Sequence, residues 1–219
     1  KTEDGRAMLE KILVDAPDEP SALLLRSGLR FSENKFDDAI ADLRLVLRKE
    51  PDNDRALLLL AQAYVRQNEL ALAKDTYRRL LEVAPDSPDG LQQLAVLYAG
   101  NKEYAEAESL LRKRLGKQPD DLIASGRLVE ILMAQGQPAK AEEEARRMQA
   151  LTNQTGVGDF SLGRVLAQQK DYEGAADAFK KSVTARAGDP LPLEGLVRSL
   201  LAAGKKDEAA KLRAEIASD

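Results

Sequence analysis

Neither cysteine nor histidine occurs anywhere in the 219 residues. Their absence excludes a disulfide framework, thiol chemistry, the common nucleophile–base pairs and zinc-type ligand clusters, while leaving the cellular compartment open. Long apolar runs are missing too. The longest, Ala56 to Ala61, resumes only as Ala63, Tyr64 and Val65 after Gln62, too short to span a bilayer. Aromatics are scarce at 4%, and no charge sign dominates, with 33 Lys and Arg against 37 Asp and Glu and a net charge of −4. Interspersed charges leave no broad basic face for a phosphate backbone, so a nucleic-acid partner is not expected.

The remaining chemistry is equally thin. No glycine-rich stretch leads into Lys and Ser or Thr, as a phosphate cradle requires. Asp52-Asn53-Asp54 begins like a calcium loop, but the position that needs glycine is Leu57. Glu142-Glu143-Glu144 is the densest acidic set, yet Arg146 and Arg147 follow the first two by four residues, the spacing of helix-surface ion pairs. The expectation is a protein that is not an enzyme and takes no cofactor or metal.

What is present is a period. Ala39, Ala73, Ala107, Ala141, Ala175 and Ala209 recur every 34 residues, and Pro17, Pro51, Pro85 and Pro119 keep the same step. The composition, 43% hydrophobic and 32% charged, rich in Leu, Ala, Glu, Lys, Arg and Asp, suits helices around a stacked core. Leu57, Leu60, Ala61 and Tyr64 form one stripe at steps of three and four, answered by Ala73, Tyr77, Leu80 and Leu81. Between them Gln67-Asn68-Glu69 is a short polar link in which Asn68 can take the left-handed conformation, as Gly136 and Gly204 can later. Each proline denies a helix another turn, and Asp52, Asp86 and Asp120 behind them suit the turn and the next cap.

On these residues the chain resembles the tetratricopeptide repeat family over nearly its whole length. The family pattern is met by Leu91, Leu94, Ala95, Tyr98, Tyr104, Ala107, Leu111 and Pro119, and again by Leu162, Gly163, Leu166, Tyr172, Ala175 and Phe179. The resemblance implies an all-α, right-handed α-solenoid of antiparallel helix pairs. Its units are 20–53, 54–87, 88–121, 122–155, 156–189 and 190–219, after the second helix of a truncated repeat at 1–19, together one solenoid domain. The alanine marks the close crossing of the paired helices; a leucine at Ala107, for example, would force the backbones apart.

Three departures stand out. Arg26 and Arg30 occupy places where the pattern wants Leu and an aromatic, so either that helix turns by about one residue to bring Phe31 into the core or the arginines sit at a partly open edge. The run Leu151-Thr152-Asn153-Gln154-Thr155-Gly156-Val157-Gly158 has two glycines and no proline, which predicts a loosened joint. Lys1 opens where a second helix would begin, and Leu212 and Ile216 lack a following unit to cover them, so the chain is expected to be cut from something longer.

In this family first helices line a concave groove, which implies a protein or peptide partner. The groove positions carried over are Ser21, Leu24, Gly28 and Phe31; Arg55, Leu58, Leu59, Gln62 and Arg66; Asp89, Gln92, Gln93 and Val96. They continue with Arg127, Glu130 and Met133; Phe160, Ser161, Arg164 and Gln168; and Glu194 and Arg198. Arg127, Arg164 and Arg198 are expected at like places in three consecutive helices, a row suited to carboxylates unless Glu130 and Glu194 pair with it. Leu24, Gly28, Leu59, Asp89 and Gln93 replace the Lys, Asn and Arg clamp of chaperone-docking relatives, so that ligand is not expected. The preferred reading is a non-catalytic scaffold of a bacterial envelope assembly, such as exopolysaccharide synthesis or export, which favours the periplasm or cell envelope over the cytoplasm while leaving the compartment open. The alternatives are a substrate-presenting or regulatory segment of a larger enzyme, such as a transferase, and end-to-end self-association.

Overall fold

A computed structural model describes the backbone of residues 2–151 and 155–217 and the side chains of residues 5–151 and 155–212. Among the described residues every regular element is a helix. Packing divides the chain into two compact units, residues 1–101 and 102–219. The first holds α1 (Thr2–Asp15), α2 (Pro20–Ser32), α3 (Phe36–Lys49), α4 (Asp54–Arg66), α5 (Leu70–Val83) and α6 (Pro88–Gly100). The second holds α7 (Tyr104–Lys117), α8 (Leu122–Ala134), α9 (Pro138–Leu151), α10 (Val157–Gln168), α11 (Tyr172–Ala185), α12 (Pro190–Ala202) and α13 (Lys206–Ala217). Among the described residues no helix is long and apolar enough to cross a membrane.

Within each unit a helix packs on the next one along the chain. First helices also touch the first helix of the following pair, as α2 does α4, α8 does α10 and α10 does α12. Three-residue links enforce this arrangement. Asn34, Asn68, Lys102, Gly136, Lys170 and Gly204 all have φ between 60° and 81°, one left-handed residue at every 34-residue step. Around them Lys35, Glu69, Gln137, Asp171 and Lys205 donate their amides to carbonyls of Arg30, Tyr64, Leu132, Leu166 and Leu200, at 2.8–3.0 Å. This closure satisfies the terminal carbonyls and turns the chain back on itself. At three of the other joints the caps are Asn53, Ser87 and Asp121, one residue beyond the aspartates the sequence suggested; their side chains accept from Ala56, Gly90 and Ala124 amides.

All six periodic alanines have no accessible surface. Around them Leu57, Leu80, Leu91, Leu111 and Leu128 are at most 1% exposed, each burial stabilising by about 1.5–3 kcal/mol. A second set of small residues runs in step near the start of first helices: Ala22, Ala56, Gly90, Ala124 and Gly158, all buried. Two second helices, α3 and α5, also reach forward. Arg44 Nη2 donates to the Tyr64 hydroxyl and Arg78 Nε to Tyr98, both at 2.9 Å. One and two steps later the tyrosine's place holds Leu132 and Leu166, and Arg112 and Arg146 turn instead to Glu108 and Glu142 on their own helices.

Helix α2 does not turn Phe31 into the core, and its two arginines stay partly open, with side chains 20% and 26% exposed. Both converge on Asp42 of α3, whose side chain is 3% exposed. Arg26 donates Nε and Nη2 to its two oxygens at 3.0 and 2.8 Å, and Arg30 adds Nη1 at 2.7 Å. The bidentate bond to Asp42 holds the Arg26 guanidinium above its ordinary pKa, against its partial burial. Glu10 of α1 completes the chain of charges at 3.5 Å from Arg26. Phe31 stays half-buried, edge-on to Phe36 with centroids 5.3 Å apart.

The described end of the glycine joint, Gly156 to Gly158, is packed. Gly156, φ 65°, caps α10, and its carbonyl accepts from the Ser182 hydroxyl at 2.8 Å. A Cβ on Gly158 would lie 2.3 Å from the Gln149 backbone, so α10 meets α9 in direct backbone contact. Thr152, Asn153 and Gln154 lie outside the described residues, as does the Ile216 side chain. The acidic set pairs differently from expectation for one member: Arg147 takes Glu144, Ser125 and the Pro119 carbonyl, while Arg146 takes Glu142.

Candidate functional site

The face built by the first helices of the second unit carries a cleft of about 400 Å³. Met133 of α8, Phe160, Arg164 and Gln168 of α10, and Leu191, Glu194 and Arg198 of α12 surround it, with Phe179 of α11 at its base. Phe179 is 3% exposed and reaches this position because two glycines let it through. A Cβ on Gly163 or Gly195 would fall 2.8 or 2.7 Å from its ring. Helices α10 and α12 therefore grip one aromatic ring between bare backbones, which fixes the floor without a mobile side chain.

Phe160 stands edge-on to that ring, with centroids 5.8 Å apart and planes at 60°. The guanidinium groups of Arg164 and Arg186 lie over its face at 5.9 and 5.6 Å, the arrangement that aromatic quadrupoles favour. Arg186 is anchored by Asp189 at 2.5 Å. The rim is charged: Arg164 reaches back to Glu130 of α8 at 2.9 Å, and Arg198 pairs with Glu194 at 3.3 Å on its own helix. All four of these side chains are at least 44% exposed, so the pairs are screened and contribute little to stability.

The structure thus brings together Met133, Phe160, Arg164, Gln168, Glu194 and Arg198 of the sequence-derived positions, with Glu130 attached through Arg164. Arg127 does not join the row. Arg164 and Arg198 are 34 residues apart, but Arg127 shares its register with Ser161 and Gly195, one turn nearer the helix start. It is half-buried, with its Nε enclosed and lacking a hydrogen-bond partner. Ser161 is 8% exposed and turned inward rather than lining the cleft.

The remaining predicted residues belong to the first unit. Arg55 is exposed in the first turn of α4, and Gln62, Gln92 and Gln93 are half-buried, as are Leu24, Gly28, Leu58, Leu59 and Val96. Arg66 is exposed at the end of α4, where it lies 5.1 Å from the Phe36 ring and donates to Asn34 Oδ1 at 3.3 Å. Sequence reasoning missed Leu191, 57% exposed at the cleft mouth, and the paired glycines beneath it. The signal for Leu191 was there: an apolar residue just after a helix-starting proline has no core to enter. Among the described residues no group of three or more acidic side chains is placed to hold a metal ion.

Comparison with known proteins places this architecture. A tetratricopeptide repeat model matches residues 30–97 and 98–155, and a second model of the same description matches 159–190. No curated protein sequence matches. Among solved structures, a tetratricopeptide repeat protein from Parabacteroides merdae superimposes with a TM-score of 0.78 at 18% identity, covering 91% of this chain and 79% of its own. YrrB, described as a TPR protein with an unusual peptide-binding site, gives a TM-score of 0.70 at 16% identity, covering 85% and 96%. PilF of Pseudomonas aeruginosa gives 0.68 at 18%, covering 90% of each chain. With its 34-residue helix pairs, its buried alanines and family matches over more than half its length, the chain belongs to the tetratricopeptide repeat family.

Proposed function

We propose that this chain is a non-catalytic protein-interaction scaffold that binds a segment of a partner protein on the faces of its first helices. The observation that carries the reading is the α8–α10–α12 cleft, which joins a fixed aromatic floor to a charged rim that is easily rearranged. Such a surface offers buried apolar area for affinity and hydrogen-bonding side chains for register, the combination that protein interfaces use. The peptide-binding site of YrrB, a protein of the same fold, supports the same class of ligand. Arg55, Gln62, Arg66, Gln92 and Gln93 supply polar contacts on the first unit under this reading, and Arg127 lends its half-buried charge to the second. A part in a bacterial envelope assembly such as exopolysaccharide synthesis or export is a finer form of the same proposal, resting on the leucine- and alanine-rich character of the repeats.

Photo-crosslinking in the source cell tests the scaffold reading. A photoreactive amino acid replacing Leu191 or Gln168 should trap a protein partner, whereas the same group at Thr184, exposed on the second helix α11, should not. Equal yields at the three positions would remove the cleft as the docking face.

A further inference from the structure

We infer that the α8–α10–α12 cleft selects a partner segment that carries one large aliphatic or aromatic side chain beside an Asp or Glu. This deepens the scaffold reading and rests on it. The floor decides the first half. Phe160, Phe179, Met133 and Leu191 present apolar surface around a space of about 400 Å³, at the low end of ligand-sized cavities. That is too small for a folded element and suited to a single inserted side chain with its neighbours at the rim. Gly163 and Gly195 hold the Phe179 ring by close backbone approach, so the floor is preorganised and does not collapse when empty.

The rim decides the second half. Arg164 and Arg198 line the cleft together with Glu194, while Glu130, the partner of Arg164, stands outside the lining. Each arginine has one exposed glutamate as its ion-pair partner, Glu130 or Glu194, and exposed pairs of this kind are readily exchanged. An incoming carboxylate can take either guanidinium as a two-pronged partner, releasing a glutamate to water. Leu191 forms an apolar lip at the mouth, over which the inserted side chain must pass.

The test is selection of a random peptide library displayed on phage against the whole chain. Fluorescence anisotropy of the selected peptides would follow, with wild type and two variants. Expected peptides share a large apolar residue next to Asp or Glu. Their affinity should fall about tenfold or more with Leu191→Glu, which charges the lip without touching the core. It should fall by about as much with Arg164→Gln/Arg198→Gln, and the double variant should cease to distinguish a peptide from its Asp→Asn or Glu→Gln form. Circular dichroism should be unchanged for both variants, because all three positions are exposed. Peptides enriched in Lys or Arg, or binding indifferent to both variants, would overturn the inference and leave the scaffold reading standing. Concentration-dependent self-association abolished by Leu191→Glu would overturn it in favour of a second copy as occupant. A selection that yields no binder at all would overturn both.

Discussion

Replacing Gly158 with alanine should destabilise the second unit by roughly 3 kcal/mol, the upper end of what overpacking costs. The added methyl would sit 2.3 Å from the nitrogen and Cα of Gln149 and 2.6 Å from the Met148 carbonyl carbon. Backbone has no rotamer to yield, so α10 must lift off α9 and take its neighbours with it. The matched control is Gly126→Ala in α8, where the new methyl meets only the Met148 Cε, at 3.9 Å. There the substitution should stabilise by about 0.5–1 kcal/mol, because alanine loses less backbone entropy than glycine in a helix. Urea denaturation of both variants compares the two. Because repeat arrays open locally, amide exchange in α9 and α10 should locate the Gly158 effect. A Gly158→Ala protein as stable as wild type would contradict direct backbone contact at the α9–α10 crossing.

The second large effect is at Asp42. Asp42→Ala should cost about 2–3 kcal/mol, below the 3–5 kcal/mol of a fully buried broken pair. The discount reflects side-chain exposures of 20% and 26% for Arg26 and Arg30, which let the stranded guanidinium groups find some water. Removing the whole cluster should behave otherwise. One step along the chain Leu60, Tyr64 and Thr76 stand where Arg26, Arg30 and Asp42 stand here. The triple change Arg26→Leu/Arg30→Tyr/Asp42→Thr should therefore recover most or all of the wild-type stability, since replacing a buried ionic group by packed apolar residues is often neutral or favourable. Glu10, which occupies the step before Arg44, is placed to accept the new tyrosine hydroxyl. Urea midpoints for the single and triple variants are the measurement, and a triple variant weaker than Asp42→Ala would contradict the account.

These two sites also mark where the sequence was legible and where it was not. Period alone carried the fold: alanines at a fixed step, with large residues at fixed offsets, leave little freedom in how paired helices stack. Two further periodic sets were equally open to reading. The small residues Ala22, Ala56, Gly90, Ala124 and Gly158 keep the same 34-residue step, as do the left-handed positions, including Asn34, Lys102 and Lys170. The lysines hid there because their type does not advertise a positive φ. Asp42 was invisible for a different reason. Its partners lie 16 and 12 residues upstream, and a hydrophobic template has no slot for a carboxylate.

Gly156 and Gly158 were misjudged because one letter serves opposite ends. Gly156 and Gly158 read as slack, and in the fold they permit contact; Gly163 and Gly195 serve Phe179, a side chain on another helix. The cleft was half legible. Phe160, Arg164, Gln168 and Arg198 followed from their register, but Arg127 was assigned to the row one turn out of step.

The claim beneath all of this is that the recurrent alanine is small because two helices cross on it. Ala73 and Ala71 lie on the same helix, α5; Ala73 has no accessible surface, while Ala71 is exposed. Urea unfolding of Ala73→Leu and Ala71→Leu compares one chemical change at two depths. The account predicts a loss of roughly 1–3 kcal/mol at Ala73 and a change within about 0.5 kcal/mol at Ala71. Equal stabilities for the two variants would contradict it.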